Sequence, residues 1–458
     1  MKRLAAALLL LAGCALAEAP PVVAIRNARI VTVSGPVIAK GTVVIRNGLI
    51  DAVGENVAAP PEALLIEGEG LTVYPGLIDA LSTVGMPGAA PAAAAAGRGG
   101  RGQAQATPPL PTAATQARSN GPEDRPQTTS WVLAADELQP ADRRIETVRG
   151  AGIATAITFP TRGIFGGQGA AVDLVAAEKS GEMVVQSPLG QYIALGRGGF
   201  GGGGGGGFPG SLMGIISYVR QVYLDAGHYK LVKEAYAKNP RGMERPQYDR
   251  ALEGVLDSQR ILLPANRLVE IDRMIRFAAE LKQPTILYGA REAYRPEAAE
   301  LLKKSGLPVL LSLHWPTPPT GPDVHLEEES LRQLQTYDLA PAAAAALQKA
   351  GVKFAFYSDG VDAPRDFQRA VKKALDAGLT REQALRALTL TPAEIYGLSD
   401  RLGSIEKGKI GNLVVTRGDI FEPSTRVEAI IVDGKKYTPA VDATGGRGAA
   451  TDAPGGNQ

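Results

Sequence analysis

Imidazole and thiol groups, which serve in acid–base and metal chemistry, are few in this 458-residue chain, which has three histidines and one cysteine. His314 ends the apolar run LPVLLSLHW, and Asp359 follows another apolar run in the phrase FAFYSDG. An imidazole or a carboxylate can bind a metal or move a proton, so these two residues are the candidate catalytic pair. A structural role is the open alternative for each. His314 could cap backbone groups or stack near Trp315, and an Asp before Gly often bonds turn amides.

The other two histidines lie in segments where a solvated side chain is expected. His228 falls in the helical stretch DAGHYK, and His325 lies in a proline-rich loop beside three glutamates, Glu327 to Glu329. We expect both imidazoles to contact solvent or neighbouring polar groups.

Strand-like and helical segments alternate through the middle of the chain, and this alternation indicates where His314 and Asp359 should lie. Strand-like apolar runs at 150–159, 260–265, 284–288, 308–313 and 352–358 are separated by amphipathic stretches such as 267–281 and 296–305. The pattern indicates a parallel sheet, and we predict a TIM-like (β/α) barrel. Functional residues of such barrels lie at the carboxyl ends of the strands, which is where both candidate residues fall.

Short β-rich segments precede and follow the alternating region. Residues 22–66 and 411–437 carry hairpin signals, with Asn47-Gly48 and Asp433-Gly434 suited to the positive-φ positions of type I′ turns. Neither segment has enough apolar surface to fold alone. We therefore predict an α/β protein in which residues 18–74 and 400–440 form one discontinuous β-sandwich and the barrel, residues 75–399, is inserted between them. Residues 441–458 are predicted to be a disordered tail.

Two low-complexity stretches interrupt the predicted barrel. Residues 86–128 are mostly Ala, Pro, Gly and Gln, and residues 196–210 contain seven consecutive glycines, Gly201 to Gly207. Segments with so few large apolar side chains cannot offset the entropy cost of ordering them. Both are predicted to be flexible, dispensable insertions.

The amino terminus has the pattern of an export signal. Lys2 and Arg3 precede an apolar run at 4–17 that is too short to span a membrane, so residues 1–17 are predicted to be a signal peptide. Two processing routes are open, namely cleavage after Ala17 in the phrase ALA and lipidation of Cys14 in the phrase LAGC. We expect an exported bacterial protein that is periplasmic or is held at the membrane only by a lipid anchor. The net charge of +2 gives no reason to expect a nucleic-acid partner.

Several phrases resemble the imidazolonepropionase-like branch of the amidohydrolase superfamily. They are VVIRNGLIDAVGE, YPGLIDA, the GGQGA loop, LLPANRLVEIDRMIRFAAEL, FAFYSDG and the block LTREQALRALTLTPAEIYGLSDRLGSIEKGKIGNLVV. The resemblance covers nearly the whole chain after the predicted signal peptide. It implies a TIM-like barrel with a β-sandwich, and an activity of metal-assisted hydrolysis of cyclic amides or other non-peptide C–N bonds. In that chemistry a metal held by imidazoles lowers the pKa of a bound water.

The positions at which that family binds its metal are mostly substituted in this chain. By the resemblance, the first pair of histidines falls on Leu81 and Thr83, the fifth-strand histidine falls on Pro264, and the sixth-strand histidine falls near Tyr288, where there is none. The eighth-strand aspartate is retained as Asp359. The resemblance therefore implies a copy that lacks the metal site, with no cofactor expected.

Three functions are compatible with this sequence. In the first, the chain is a non-catalytic homologue that binds a small polar molecule at the barrel mouth or joins an active amidohydrolase in a homo- or hetero-oligomer. In the second, it is an active hydrolase with a rearranged site around Asp359 and His314, in which Gln168, Arg162 and Tyr288 contact the substrate and a divalent metal such as Zn²⁺ is bound. In the third, it is a cell-surface scaffold attached through its insertions. The substituted ligand positions favour the first function, because loss of even one imidazole normally weakens a zinc site.

Overall fold

The computed structural model describes residues 22–87, 122–195, 208–320, 328–361, 363–422 and 425–439. The predictions for Cys14 and the signal peptide, for His325, for the carboxyl-terminal tail and for the centres of the two insertions lie outside these residues. Within the described ranges, the structure contains no helix with the length and apolar character needed to cross a membrane.

The described residues form a mixed α/β fold. Its strands are β1 (Val22–Ile30), β2 (Ile38–Arg46), β3 (Leu49–Gly54), β4 (Leu64–Glu67), β5 (Thr72–Pro75), β6 (Leu77–Ser82), β7 (Ile153–Thr158), β8 (Phe165–Gln168), β9 (Ala170–Asp173), β10 (Val184–Gln186), β11 (Gln191–Ile193), β12 (Ile261–Ala265), β13 (Thr285–Gly289), β14 (Val309–Ser312), β15 (Phe354–Tyr357), β16 (Leu413–Arg417), β17 (Arg426–Val432) and β18 (Lys435–Tyr437). Its α-helices are α1 (Ala134–Glu137), α2 (Arg144–Gly150), α3 (Leu212–Lys238), α4 (Arg250–Leu256), α5 (Leu268–Leu281), α6 (Pro296–Ser305), α7 (Leu331–Leu339), α8 (Ala343–Ala350), α9 (Pro364–Asp376), α10 (Arg381–Ala387) and α11 (Leu390–Tyr396).

Strands from both ends of the chain share one sheet. Its hydrogen-bonded order is β18-β17-β16-β5-β1-β2-β3, with β4 paired to β1. The join is made by β5 and β16, which are antiparallel and align Pro75 with Leu413 and Thr72 with Thr416. Val73, Leu413 and other apolar side chains of the two segments are buried together in one cluster. The two terminal segments therefore pair with each other as strands of a single eight-stranded sheet.

Both predicted hairpin turns are confirmed by the backbone angles. Asn47 and Gly48 have φ values of 50° and 79°, and Asp433 and Gly434 have φ values of 49° and 73°. Positive φ at both central residues is what a type I′ turn requires, and it matches the right-handed twist of the flanking strands.

The central strands form two further sheets. One has the order β10-β9-β7-β6 and the other has the order β15-β14-β13-β12-β11-β8. The outer strands β6 and β15 meet at Asp79, whose carboxylate accepts hydrogen bonds from the backbone nitrogen (2.9 Å) and the Oγ atom (2.6 Å) of Ser358. β6 and β7 are parallel, and β11 to β15 are parallel to one another. This arrangement is consistent with a TIM-like barrel beside a β-rich unit, although the pairings leave two ladders and not one closed ladder.

Apolar and tyrosine side chains from the central strands pack together in one buried cluster. The strands contribute Ile78, Ala80, Leu81, Ile157, Phe159, Ala171, Leu262, Ile286, Tyr288, Leu310, Ala355 and Tyr357 to it. Alternate residues of a strand point to one face of a sheet, which explains the spacing of two between Ile286 and Tyr288 and between Ala355 and Tyr357. The space that the strands enclose is therefore a packed core.

The outer residues of the predicted insertions 86–128 and 196–210 lie within the described ranges, and those of the first make defined contacts. Met86 is buried, and Thr128 Oγ1 lies 2.6 Å from the hydroxyl of Tyr218 in α3. Arg125 forms ion pairs with Asp225 (2.5 Å) and with Asp249 (3.3 Å). Composition did not reveal these contacts, because the partners lie about a hundred residues further along the chain.

Candidate ligand-binding site at the strand ends

The candidate site is formed by residues that directly follow three adjacent parallel strands, β13, β14 and β15. Because these strands are parallel neighbours, their carboxyl ends lie at the same edge of the sheet. Two non-glycine residues there have left-handed backbone angles, Ala290 with φ 47° and Asp359 with φ 51°. Backbone strain of this kind is sparse in proteins and is concentrated at functional sites.

Asp359 is held by a cation and a hydroxyl. Arg291 Nη2 donates to Asp359 Oδ2 at 2.9 Å, and Ser312 Oγ donates to the same oxygen at 2.7 Å. The ion pair is about one third exposed, with 34% of the Arg291 side chain and 36% of the Asp359 side chain accessible. The carboxylate is therefore already compensated in charge by the protein itself.

The structure brings His314 next to Asp359, but through the backbone. His314 Nδ1 lies 3.1 Å from the carbonyl oxygen of Asp359, and the backbone nitrogen of His314 donates to Ser312 Oγ at 3.1 Å. This contact is of the backbone-capping kind, one of the structural alternatives for His314. When Nδ1 donates to that carbonyl, Nε2 is the unprotonated nitrogen of the exposed ring and can accept a hydrogen bond.

Three tyrosines pack near these polar residues, of which Tyr288 and Tyr357 are buried and Tyr192 is half-buried. The rings of Tyr192 and Tyr288 are stacked with their centroids 5.4 Å apart. The Tyr288 hydroxyl lies 3.0 Å from the Tyr192 hydroxyl and 3.1 Å from the carbonyl oxygen of Ile193. Burial raises the pKa of Tyr288 and of Tyr357 well above the ordinary tyrosine value, and the nearby Asp359 carboxylate adds to this effect. Both hydroxyls are therefore neutral at physiological pH and do not offer a phenolate to a cation.

The substituted metal positions of the resembled family have structural contacts of their own. Leu81 is buried in the core cluster, and Pro264 lies opposite Tyr288 in the register of β12 and β13. Thr83 accepts a hydrogen bond from Arg144 Nη1 at 3.2 Å through its hydroxyl. Among the described residues, no group of three or more His, Cys, Asp or Glu side chains is placed to hold a metal ion. These side chains do not fit a divalent metal.

The structure does not join Arg162 and Gln168 to Asp359 by any hydrogen bond or ion pair among the described residues. Arg162 follows β7 and donates to the carbonyl oxygen of Pro87 at 2.9 Å. It lines a separate cavity of about 110 Å³ together with Glu137 and other residues. Gln168 is buried, and its amide donates to the carbonyl oxygen of Gly254 at 2.9 Å. The expectation that both contact a ligand beside Asp359 gains no support from these contacts.

Sequence reasoning missed Arg291, Ser312 and Asn266. Arg291 Nε and Asn266 Oδ1 are buried atoms with no hydrogen-bond partner in the described part of the chain. Asn266 directly follows β12, and Arg291 lies two residues beyond β13, so a search for polar residues after each strand could have found them. An unpaired buried donor and acceptor are costly in a folded protein, and a bound ligand or water can satisfy them.

Parts of this chain are similar in sequence to known proteins, and its fold is similar to those of solved structures. Residues 277–439 match the amidohydrolase family. A segment of 53 residues is 47% identical to N-acetylglucosamine-6-phosphate deacetylase of Haemophilus influenzae, and it covers 12% of this chain and 13% of that protein.

The structure is similar to that of an amidohydrolase from Thermotoga maritima, with a TM-score of 0.71 and 26% identity over 91% of this chain and 100% of the other. A prolidase complexed with N-methylphosphonate-L-proline shares the fold at a TM-score of 0.52 and 17% identity, over 92% of this chain and 100% of that one. Residues 277–439 therefore match the amidohydrolase family, and the mixed α/β fold of the described residues is similar to that of a solved amidohydrolase.

Proposed function

We propose that this chain is an exported, non-catalytic amidohydrolase homologue that binds a small polar molecule at the carboxyl ends of β13 to β15 without a divalent metal. The observation that carries this proposal is the Arg291–Asp359 ion pair, with Nη2 and Oδ2 2.9 Å apart. Asp359 stands at the ligand position that the resemblance retains, and its charge is compensated by a guanidinium.

The chemistry of the donor set supports a site without a metal. A guanidinium beside a carboxylate repels a divalent cation that would approach the same oxygen. The other positions offer a leucine, a proline and a threonine hydroxyl, and these are poor ligands compared with imidazoles. One carboxylate cannot supply the affinity of a site with several imidazoles.

The polar groups that lack partners around these strand ends suit a small polar ligand. Arg291 Nε can donate a hydrogen bond and Asn266 Oδ1 can accept one, and neither has a partner in the described residues. The exposed ring of His314 adds a further polar edge. The rings of Tyr192 and Tyr288 form an apolar floor below them. Such a combination of an apolar surface with a few convergent polar groups is typical of small-molecule sites.

Metal analysis of the purified mature protein tests the proposal. After incubation with Zn²⁺ and desalting, we expect well under about 0.1 tightly held Zn²⁺ per chain, both for the natural sequence and for Asp359→Asn. Retention of close to one Zn²⁺ per chain, with amide hydrolysis that Asp359→Asn abolishes, would contradict it. That result would establish the alternative, an active hydrolase with a rearranged site around Asp359 and His314.

Export is a separate part of the proposal and has its own test. The charged and apolar segments at residues 2–17 support a signal peptide, and Cys14 supports lipidation. We expect the natural sequence to fractionate with the membrane and Cys14→Ser to be released into the soluble exported fraction. If Cys14→Ser leaves the distribution unchanged, Cys14 is not lipidated, and cleavage after Ala17 is the remaining route.

A further inference from the structure

Helix α3 has apolar side chains on two faces, and the described residues cover only one of them. Its inner face buries Ile215, Tyr218, Val219, Val222 and Ala226. Its opposite face exposes 79% of Met213, 62% of Leu224 and 65% of Leu231. Because a helix turns about 100° per residue, spacings of 11 and 7 residues place these three side chains within roughly 20° of one another. We call this stripe the outer face of α3.

The two low-complexity segments contain few large apolar side chains that could cover the outer face. Residues 88–121 contain one large apolar side chain, Leu110, and residues 196–207 contain one, Phe200. Three exposed large apolar side chains along one helix face are typical of an interaction surface.

We propose that the outer face of α3 is a homodimer interface in which two copies of the helix pack antiparallel about a two-fold axis near Gly227. Gly227 is exposed, and apart from the backbone of its own helix no atom of the described residues lies within 4 Å of the position that its Cβ would occupy. Leu224 and Leu231 lie three residues before and four residues after Gly227. An antiparallel pair therefore places Leu224 of each copy against Leu231 of the other, with the backbones closest at Gly227.

Charges along the outer face match this arrangement. Arg220 and Glu234 lie seven residues on either side of Gly227 and have opposite charges. A two-fold axis at Gly227 sets Arg220 of each copy near Glu234 of the other, so the surface is complementary to itself, as a two-fold interface requires. Arg220 already pairs with Glu280 of its own chain, and a guanidinium has enough donors to bind a second carboxylate.

The area that the two α3 helices can bury sets the expected affinity of the dimer. One helix against its copy buries less than the roughly 1,200 Å² of a standard stable interface, so the dimer is weak and forms at micromolar concentration. Charged substitutions at its two central leucines should therefore be sufficient to abolish it.

Sedimentation velocity of the full mature chain, over about 1 to 100 μM, tests the proposal. We expect a monomer–dimer equilibrium whose Kd rises at least about tenfold in Leu224→Glu and in Leu231→Glu. The matched control is Leu331→Glu on α7, where the leucine is 72% exposed. It should leave the Kd unchanged. A natural sequence that stays monomeric throughout this range, or a dimer that both α3 variants leave intact, would overturn the proposal.

Disulfide cross-linking detects the same α3 pair without a glutamate substitution, which could disturb folding. In a Cys14→Ser background, which has no other cysteine, Gly227→Cys places a thiol near the two-fold axis. We expect mild oxidation to give a disulfide-linked dimer with Gly227→Cys. The control Lys304→Cys, whose lysine on α6 is 70% exposed, should stay monomeric. Equal cross-linking of both variants, or of neither, would contradict an antiparallel α3 pair.

Discussion

Arg291 and Asp359 show how one pair of side chains can change the chemistry of a strand-end site. The guanidinium supplies the positive charge beside Asp359, and Ser312 supplies a neutral donor to the same oxygen. A carboxylate with these two partners is well solvated by the protein. A divalent ion that approached the same oxygen, Oδ2, would be repelled by the guanidinium.

At the residue scale, a polar substitution at the buried Leu81 should destabilise the fold. Leu81 is 7% exposed in the core cluster, so Leu81→His replaces apolar contacts with a polar ring that lacks partners there. We expect the free energy of unfolding to fall by roughly 2 to 4 kcal/mol, measured by urea denaturation.

The control is Leu64→His, because Leu64 is 42% exposed in β4 and its replacement should cost little. Equal stability of the two variants would contradict the packing argument.

The buried carboxyl of Asp173 should make the stability of the fold depend on pH. Burial raises the pKa of its carboxyl from the ordinary 3.8 to about 7, against the opposing effect of hydrogen bonds from Thr155 Oγ1 (2.6 Å) and Asn412 Nδ2 (2.8 Å). Asp433 also raises this pKa and Arg401 lowers it. The folded state therefore holds a proton on Asp173 over a pH range in which the unfolded state has lost it. The contribution of this carboxyl to the free energy of unfolding is fully present below about pH 4, and it is lost as the pH rises to about 7.

We expect Asp173→Asn to remove that decline, because an amide cannot ionise. Between about pH 5 and pH 8, the natural sequence should lose roughly 2 to 4 kcal/mol more of its free energy of unfolding than the variant does. Chemical denaturation at a series of pH values measures this difference. The exposed Asp366→Asn serves as the control and should follow the natural sequence. Parallel pH profiles for Asp173→Asn and the natural sequence would show that Asp173 is ionised in the fold.

At the scale of elements, the end of the low-complexity stretch 86–128 makes contacts with helices that its composition does not suggest. Arg125 bridges Asp225 of α3 and Asp249, the N-cap of α4, while Thr128 contacts Tyr218. These contacts attach the residues before α1 to α3 and to the start of α4. The position at which the stretch is cut therefore decides whether the folded structure is affected.

We expect deletion of residues 88–121 to leave the thermal midpoint within a few degrees, and deletion of 86–128 to lower it clearly. Arg125→Ala alone should cost about 1 to 2 kcal/mol, since it leaves two partly buried carboxylates without their cation. Differential scanning fluorimetry of the three variants tests this, with Arg369→Ala as a control on an exposed pair in α9. If both deletions lowered the midpoint equally, residues 88–121 would themselves contribute to folding.

At the scale of the whole molecule, the first and last strands of the described chain depend on each other. β5 pairs with β1 on one side and with β16 on the other, so the carboxyl-terminal strands complete a sheet begun by the amino-terminal ones. Removal of β16 to β18 would expose the edge of β5 and the apolar side chains that pack under it.

We therefore expect a chain that ends at Arg401 to aggregate or to unfold without a cooperative transition. A chain that ends at residue 439 keeps β18 and should unfold as the full chain does. Size-exclusion chromatography and thermal unfolding distinguish the two. A soluble, cooperative fragment ending at Arg401 would contradict the dependence of the two terminal segments on each other.

The sequence by itself determined features that depend on neighbouring residues. The hairpin turns at Asn47-Gly48 and Asp433-Gly434 follow from local backbone preferences, and the alternation of strands and helices follows from hydrophobic periodicity. It also indicated that His314 and Asp359 follow adjacent strands.

Only the tertiary structure decided which side chains meet at those strand ends. Arg291 reaches Asp359 from 68 residues away in the chain, and the amide of the buried Gln168 donates to the carbonyl oxygen of Gly254, 86 residues further along. The same holds for Asp173, whose raised pKa depends on burial and on Asn412, 239 residues further along. Contacts of this kind depend on three-dimensional packing between distant segments, and neither composition nor periodicity contains that information.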